Sequence, residues 1–268
     1  MARRFETLAA DCLSGRRIAV TGAGTGLGRA IALRLAGLGA TVGGMGRREA
    51  LLRDTGAMAP AGRFVPLPCD IRDYEAAAGR LGDFAEGGLD GLVNNAGGQF
   101  YAEAADISAG GFAAVVDLNL TALFALTRAM RPFLARKGGS VVNLSIVGAE
   151  RGALGLAHAV AARSGAAGLS KALALEWGPD AIRINSLAVG TVATDTFLAA
   201  STAEQRAELA RQTPIPRLVG AGEVAELTAF LLSDAAEMIT GQTLRIDGGA
   251  FLAAPVDMRP TRQKVLHE

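Results

Sequence analysis

The sequence predicts an α/β fold in which helices cover both faces of one parallel sheet. Three observations carry this. Short apolar runs of strand length alternate with segments whose apolar residues recur at helical spacing, which means βαβ units with right-handed crossovers. A glycine-rich turn, "TGAGTGLG" (21–28), stands between the first strand and the first helix. The 268 residues are 50% hydrophobic and 20% charged, with 35 glycines, which suits a single domain with a large, closely packed core and excludes a disordered chain.

The first strand is "RRIAVTG" (16–22), buried by its apolar run, and the first helix follows at 26–39, ending in glycine. "ATVGGMG" (40–46) is the second strand, with a helix near 47–55. A third strand at 63–70 precedes a helix at 74–85, and a fourth strand covers 89–97. One long helix is expected over 109–136, then a strand at 139–145 and a helix at 157–177. A strand at 182–188 leads into an irregular, partly helical region. A helix at 222–233 and a last strand at 243–247 close the pattern. The tail 251–268 contains prolines and charges, and either packs on a neighbour or frays.

The formal net charge of +1 gives no electrostatic case for nucleic acid or an anionic membrane. No apolar run is expected to cross a bilayer, and the opening residues lack the apolar core of a secretory signal. Cytoplasm is the expectation. Cys12 and Cys69 lie far apart without metal-ligand spacing, so they read as buried free thiols and no metal is expected.

In the glycine turn, Gly22, Gly26 and Gly28, with Thr25 and Leu27 between them, let the backbone approach a pyrophosphate. The helix N-terminus then faces the negative charge with unpaired N–H groups. The end of the second strand separates two cofactors, since an acidic residue there binds a ribose 2′-hydroxyl and a basic one accepts a 2′-phosphate. "GGMGRRE" offers no carboxylate at the strand end. Gly46 leaves room, and Arg47 and Arg48 supply charge, which favours NADP(H). The alternative is two solvated arginines opening a helix. Asp70, followed by Ile71, could meet the adenine edge or could cap a helix in "CDIRDYE".

"TGAGTGLG", "NNAG" (94–97), "LNL" around Asn119, "SKALALEWGPDAIRINSLAVG" (170–190) and "ITGQTLRIDGG" (239–249) occur in this order and spacing. With them the chain resembles the short-chain dehydrogenase/reductase family from about residue 14 to 250. The resemblance implies one Rossmann-like domain over residues 1–268, a seven-stranded parallel sheet and a nicotinamide cofactor. It also implies a substrate lid at about 190–215 and a homotetramer or homodimer. It adds cofactor contacts at Asn95, Ala96, Gly97, Arg163, Gly190, Val192 and Thr194.

The family's usual catalytic residues are Asn, Ser, Tyr and Lys. Asn119 matches the first. The serine position falls on Ile146, beside Ser145; the tyrosine position is Ala159 and the lysine position Arg163. Ala159 has no proton to give, and Arg163 stays charged, so the usual phenol relay is not transferable. Helical geometry turns His158 about 140° from Arg163, so His158 is expected at a surface or interface, with Ala159 flooring the pocket and Arg163 beside the nicotinamide ribose. Tyr101, after "NNAGGQF", is a candidate donor at the carboxyl end of the fourth strand, or a loop cover.

"NNAGGQF", "AHAVAARSG", "SKALALEWG" and "GQTLRIDGG" are similar to the trans-2-enoyl-CoA and 2,4-dienoyl-CoA reductases, a branch that also lacks the usual Tyr–Lys pair. There the residue matching Gln99 is an asparagine near the thioester carbonyl. A ketone reduced by hydride needs a proton donor at its own oxygen. Conjugate reduction instead makes an enolate, which hydrogen-bond donors can hold. Gln99, Ser145 and Arg163 are the candidate donors, with Asn119 and Tyr101 beside them. The expected activity is NADPH-dependent reduction of an activated C=C bond in an acyl thioester. Three alternatives stay open: an isomerase, cyclase or dehydratase without net redox chemistry, a carbonyl reductase with another donor, and a silent nucleotide-binding protein.

Overall fold

Complete burial along the central strands sets the architecture, because a strand covered on both faces reads as a continuous apolar run. Residues 8–252 are described by a computed structural model. Its strands are β1 Arg17–Thr21, β2 Thr41–Gly46, β3 Phe64–Pro68, β4 Gly91–Asn94, β5 Ser140–Ile146, β6 Arg183–Val189 and β7 Thr243–Ile246. They form one parallel sheet in the order β3-β2-β1-β4-β5-β6-β7. The chain thus winds outward from β1 to β3, then restarts at β4 on the other side of β1.

Helices α1 Gly26–Gly37, α2 Glu49–Met58, α3 Tyr74–Phe84, α4 Ala109–Val116, α5 Ala122–Ala135, α6 Gly148–Arg151 and α7 Ala157–Trp177 follow in order. The last are α8 Asp195–Ala200, α9 Ala203–Arg211 and α10 Ala221–Leu232. Alternate side chains of each strand feed two cores. Ile18, Val20, Val142 and Leu187 face the layer of α1 and α10. Ala19, Leu92, Val141 and Ile184 face α3, α5 and α7.

The strands and most helices lie within a few residues of the sequence expectation. The 109–136 segment differs. Asp117–Thr121 is a π-helical stretch between α4 and α5, and such extra-residue turns often mark functional positions. It holds Asn119, which is 1% exposed. The tail expected at 251–268 falls, beyond Leu252, outside the described residues.

One expectation needs correction. The helical span Ala109–Ala135 is, by length and composition, long and apolar enough to cross a membrane, and its α5 part packs Ala122, Leu126, Met130 and Leu134 into the core beneath the sheet. Thr127 of α5 accepts a hydrogen bond from Asn94 Nδ2 at 2.9 Å. Only 28% of the most apolar stretch of this span is buried. Its apolar character therefore points outward as well as inward.

A buried polar series ties the layers beneath the site. Asn94 Nδ2 donates to Asn143 Oδ1 at 2.8 Å, Asn143 Nδ2 to Ser170 Oγ at 2.9 Å, and Ser170 and Ser186 share a hydroxyl contact at 3.0 Å. Every member is buried. The series joins β4, β5, α7 and β6.

Candidate active site

The reversal of strand order between β1 and β4 leaves a crevice at the carboxyl ends of the strands, where ligands of open α/β sheets bind. A cavity of about 370 Å³ occupies it. The glycine loop supplies one wall with Gly22, Thr25, Gly26, Leu27 and Gly28. Gly22 and Gly26 have φ of +70° and +52°, which favours glycine. A Cβ on Gly28 would collide with the Gly22 carbonyl oxygen and with Asn95 Nδ2, so the loop has no room for a side chain there. Thr21 Oγ1 accepts from the Asn95 and Ala96 amides at 3.0 and 2.9 Å, which fixes the loop after β4 against β1.

The other walls match most of the expected contacts. Arg47 and Arg48 come from the end of β2, Asp70 and Ile71 from the end of β3, and Asn95, Ala96 and Gly97 from the end of β4. Thr194 closes the far side, facing Gly26. Sequence reasoning missed Cys69, Arg72 and Leu118, which also line the cavity. Cys69 is half-buried rather than fully buried, as is Cys12, and burial pushes both thiols up.

These residues fit a dinucleotide. The glycine turn is held bare by the protein's own close packing and lines the cavity with backbone. A Cβ on Gly46 would meet only Leu52 at 3.5 Å, ordinary contact, so the fold itself does not require glycine there. Arg47 and Arg48 are exposed and form no salt bridge among the described residues.

Gly190 and Val192 do not line the cavity. Val192 bridges to Val219, and a Cβ on Gly190 would stand 3.0 Å from Asp247 Cα.

The inner end departs further from expectation. Arg163 does not line the cavity beside a ribose position; it is 7% exposed and donates to the Leu144 carbonyl. A Cβ on Gly97 would collide with its Nη2, so a bare glycine lets the guanidinium lie under the loop. No carboxylate pairs with it among the described residues, and burial alone pulls it down to about 10. Asn119 is spent on backbone: its Nδ2 donates to Gly98 O and Val115 O at 2.8 Å each, and its Oδ1 accepts from the Gly98 amide at 3.3 Å. Ser145 is buried on β5, on the sheet face that carries Asn143 towards α7.

His158 is not at a surface. It is fully buried, with Phe100 edge-on to its ring at 4.3 Å. The helical rotation argument holds, but the loop after β4 covers that side of α7, stitched by the Ala102 amide to Gly155 O at 3.2 Å. Ala159 is buried at 1% exposure and lies outside the cavity walls. Gln99 and Tyr101 are exposed on the same loop, Tyr101 at 77%. Ser145 Oγ, Arg163 Nε and both His158 ring nitrogens are buried without hydrogen-bond partners among the described residues.

A family profile described as Enoyl-(Acyl carrier protein) reductase matches residues 22–250. The chain is 34% identical to a tropinone reductase homolog of Arabidopsis thaliana, covering 93% of this chain and 96% of that one. It is 32% identical to the "Probable 2,4-dienoyl-CoA reductase [(2E)-enoyl-CoA-producing]" of Bacillus subtilis (strain 168), over 88% and 97%. A crystal structure of a 3-oxoacyl-[acyl-carrier protein] reductase with bound NAD from Brucella melitensis superposes with a TM-score of 0.84 at 32% identity, covering 94% of this chain and 98% of that one.

Proposed function

The chain belongs to the short-chain dehydrogenase/reductase family, an oxidoreductase fold, and from that premise we propose that it is an NADPH-dependent reductase of an activated C=C bond in an enoyl thioester. The observation that carries the reading is that Ala159 stands where the family carries its phenol and offers no acid, while Ser145 and Arg163 remain as buried polar groups on β5 and α7. A ketone reduced by hydride needs a proton donor at its own oxygen, whereas conjugate reduction does not, so the missing acid favours the latter.

Glycine backbone at 22, 26 and 28 would hold the cofactor pyrophosphate, and Arg47 with Arg48 the 2′-phosphate. When bound, the cofactor supplies the hydride. The chain must then stabilise the oxygen of the enolate formed by hydride addition, and the amide of Gln99, on the loop after β4, would supply a donor for that role. Protonation at the α-carbon needs no side-chain acid, since water suffices. Asn119 acts by holding Gly98, and so the loop that carries Gln99. The segment 190–215, which carries α8 and α9, would serve as the substrate lid.

The outward apolar face of Ala109–Ala135, with Phe112 and Phe124 at 40% and 37% exposure, favours self-association into a dimer or tetramer.

The test is NADPH oxidation with a panel of enoyl thioesters, cyclic enones and ketones, with products identified by mass. C=C reduction without ketone reduction is the expected result. Robust ketone reduction alone would return the chain to the carbonyl reductases. Product formation without cofactor turnover would assign it to the non-redox class.

A further inference from the structure

Asp70 and Arg72 form a closed unit on the wall of the cofactor cavity. Both carboxylate oxygens are engaged by one guanidinium: Arg72 Nη2 donates to Oδ2 at 2.7 Å, and Nε to Oδ1 at 3.1 Å. The Arg72 backbone amide adds a third bond to Oδ1 at 3.0 Å. The bidentate fork is the stronger class of ion pair and is geometrically specific. Asp70 is the one acidic side chain among the cavity walls, which also carry Arg47, Arg48 and Arg72. Arg47 is close enough to act electrostatically on Asp70, since both it and Arg72 hold that carboxyl below its usual range.

A free carboxylate in this position would repel a 2′-phosphate, which carries about −1.5 to −2 charge at neutral pH. It would do little to a neutral 2′-hydroxyl. We propose that Arg72 is a cofactor-selecting residue that acts through Asp70: it ties up the carboxylate and leaves Arg47 and Arg48 unopposed toward the 2′-phosphate. This rests on the NADPH reading above. The role belongs to a positioning residue, because its work is done on Asp70 and not on the reacting atoms.

The experiment compares the full chain with Arg72→Ala, Asp70→Asn, the Asp70→Asn/Arg72→Ala double variant and Arg47→Ala. Titration calorimetry measures adenosine 2′,5′-bisphosphate, 5′-AMP, NADPH and NADH, and thermal denaturation confirms that each variant folds. Arg72→Ala should weaken both 2′-phosphorylated ligands about tenfold and shift 5′-AMP and NADH less than about twofold. The double variant should return 2′-phosphate binding to within about threefold of the parent, because the offending charge is gone. Equal losses for all four ligands would overturn the proposal in favour of a plain structural role. Loss without rescue would overturn it in favour of direct phosphate contact by Arg72. Failure of the NADPH reading shows differently: the parent itself would prefer NADH, and Arg47→Ala would leave both cofactors unchanged.

Discussion

Arg163 donates to the main-chain carbonyl of Leu144 and to no carboxylate among the described residues, so α7 carries a buried cation into the base of the site without a counter-ion. Such a charge is costly unless something pairs with it.

Replacing it should therefore separate stability from activity. Arg163→Met should raise folding stability by about 2 kcal/mol, since apolar substitutes for buried charges are often stabilising, while lowering turnover because the guanidinium supports the Gly97 loop that lines the cavity. The sign in pH follows from the depressed value. The folded group, near 10, releases its proton before the unfolded one does, so the penalty is full below about pH 10 and fades as pH rises above it. Denaturant melts of both proteins at pH 7, with turnover measured alongside, check this; a destabilised variant would refute it.

Gly97 is the steric counterpart of Arg163. Gly97→Ala drives a methyl into Arg163 Nη2 and to 2.6 Å from Asn119 Oδ1. The expected cost is about 1–3 kcal/mol, with weaker cofactor binding because Gly97 also lines the cavity. Combining it with Arg163→Ala should recover much of the stability, read by denaturant midpoint. Equal loss in both backgrounds would show that the clash lies elsewhere.

Arg47→Ala should weaken NADPH at least about tenfold and leave NADH nearly unchanged in titration calorimetry. Parallel losses for both cofactors would remove Arg47 from the 2′-phosphate site.

Gln99→Leu should lower turnover about a hundredfold with NADPH affinity intact, whereas His158→Ala should leave turnover within a few-fold. The buried ring packs under Phe100, so its loss is expected to appear as a lowered melting temperature. A large fall in turnover for His158→Ala, with NADPH affinity kept, would make His158 the proton donor.

On the proposed self-association, Phe112→Glu with Phe124→Glu should yield smaller species in light scattering, because both side chains are exposed on the long apolar helical span. An unchanged mass would place the assembly surface elsewhere.

Strand–helix alternation made the sheet legible, and the glycine loop made the cofactor crevice legible, because both depend on local spacing. Side-chain destinations did not follow. The rotation separating His158 from Arg163 is a helix property and could be read. That Phe100 would seal His158, and that Gly97 would admit the Arg163 guanidinium, depend on a loop some sixty residues away in sequence. The π-helical stretch at Asn119 stayed hidden because one added residue barely disturbs an apolar period. Arg72 was overlooked because "DIRD" reads locally as a helix start, and its fork to Asp70 needs the turn geometry.

The hydrogen-bonded series from Thr127 through Asn94, Asn143 and Ser170 to Ser186 has a consequence for breathing motions. Releasing any one member costs a buried neighbour one of its hydrogen bonds, which favours β4, β5, β6, α5 and α7 opening together. Amide protons across those five elements should thus exchange with solvent at the rate of global unfolding. Those of the loop bearing Gln99 and of the segment bearing α8 and α9 should exchange far sooner. The floor of the crevice is built to hold still while its rim admits and releases what binds there.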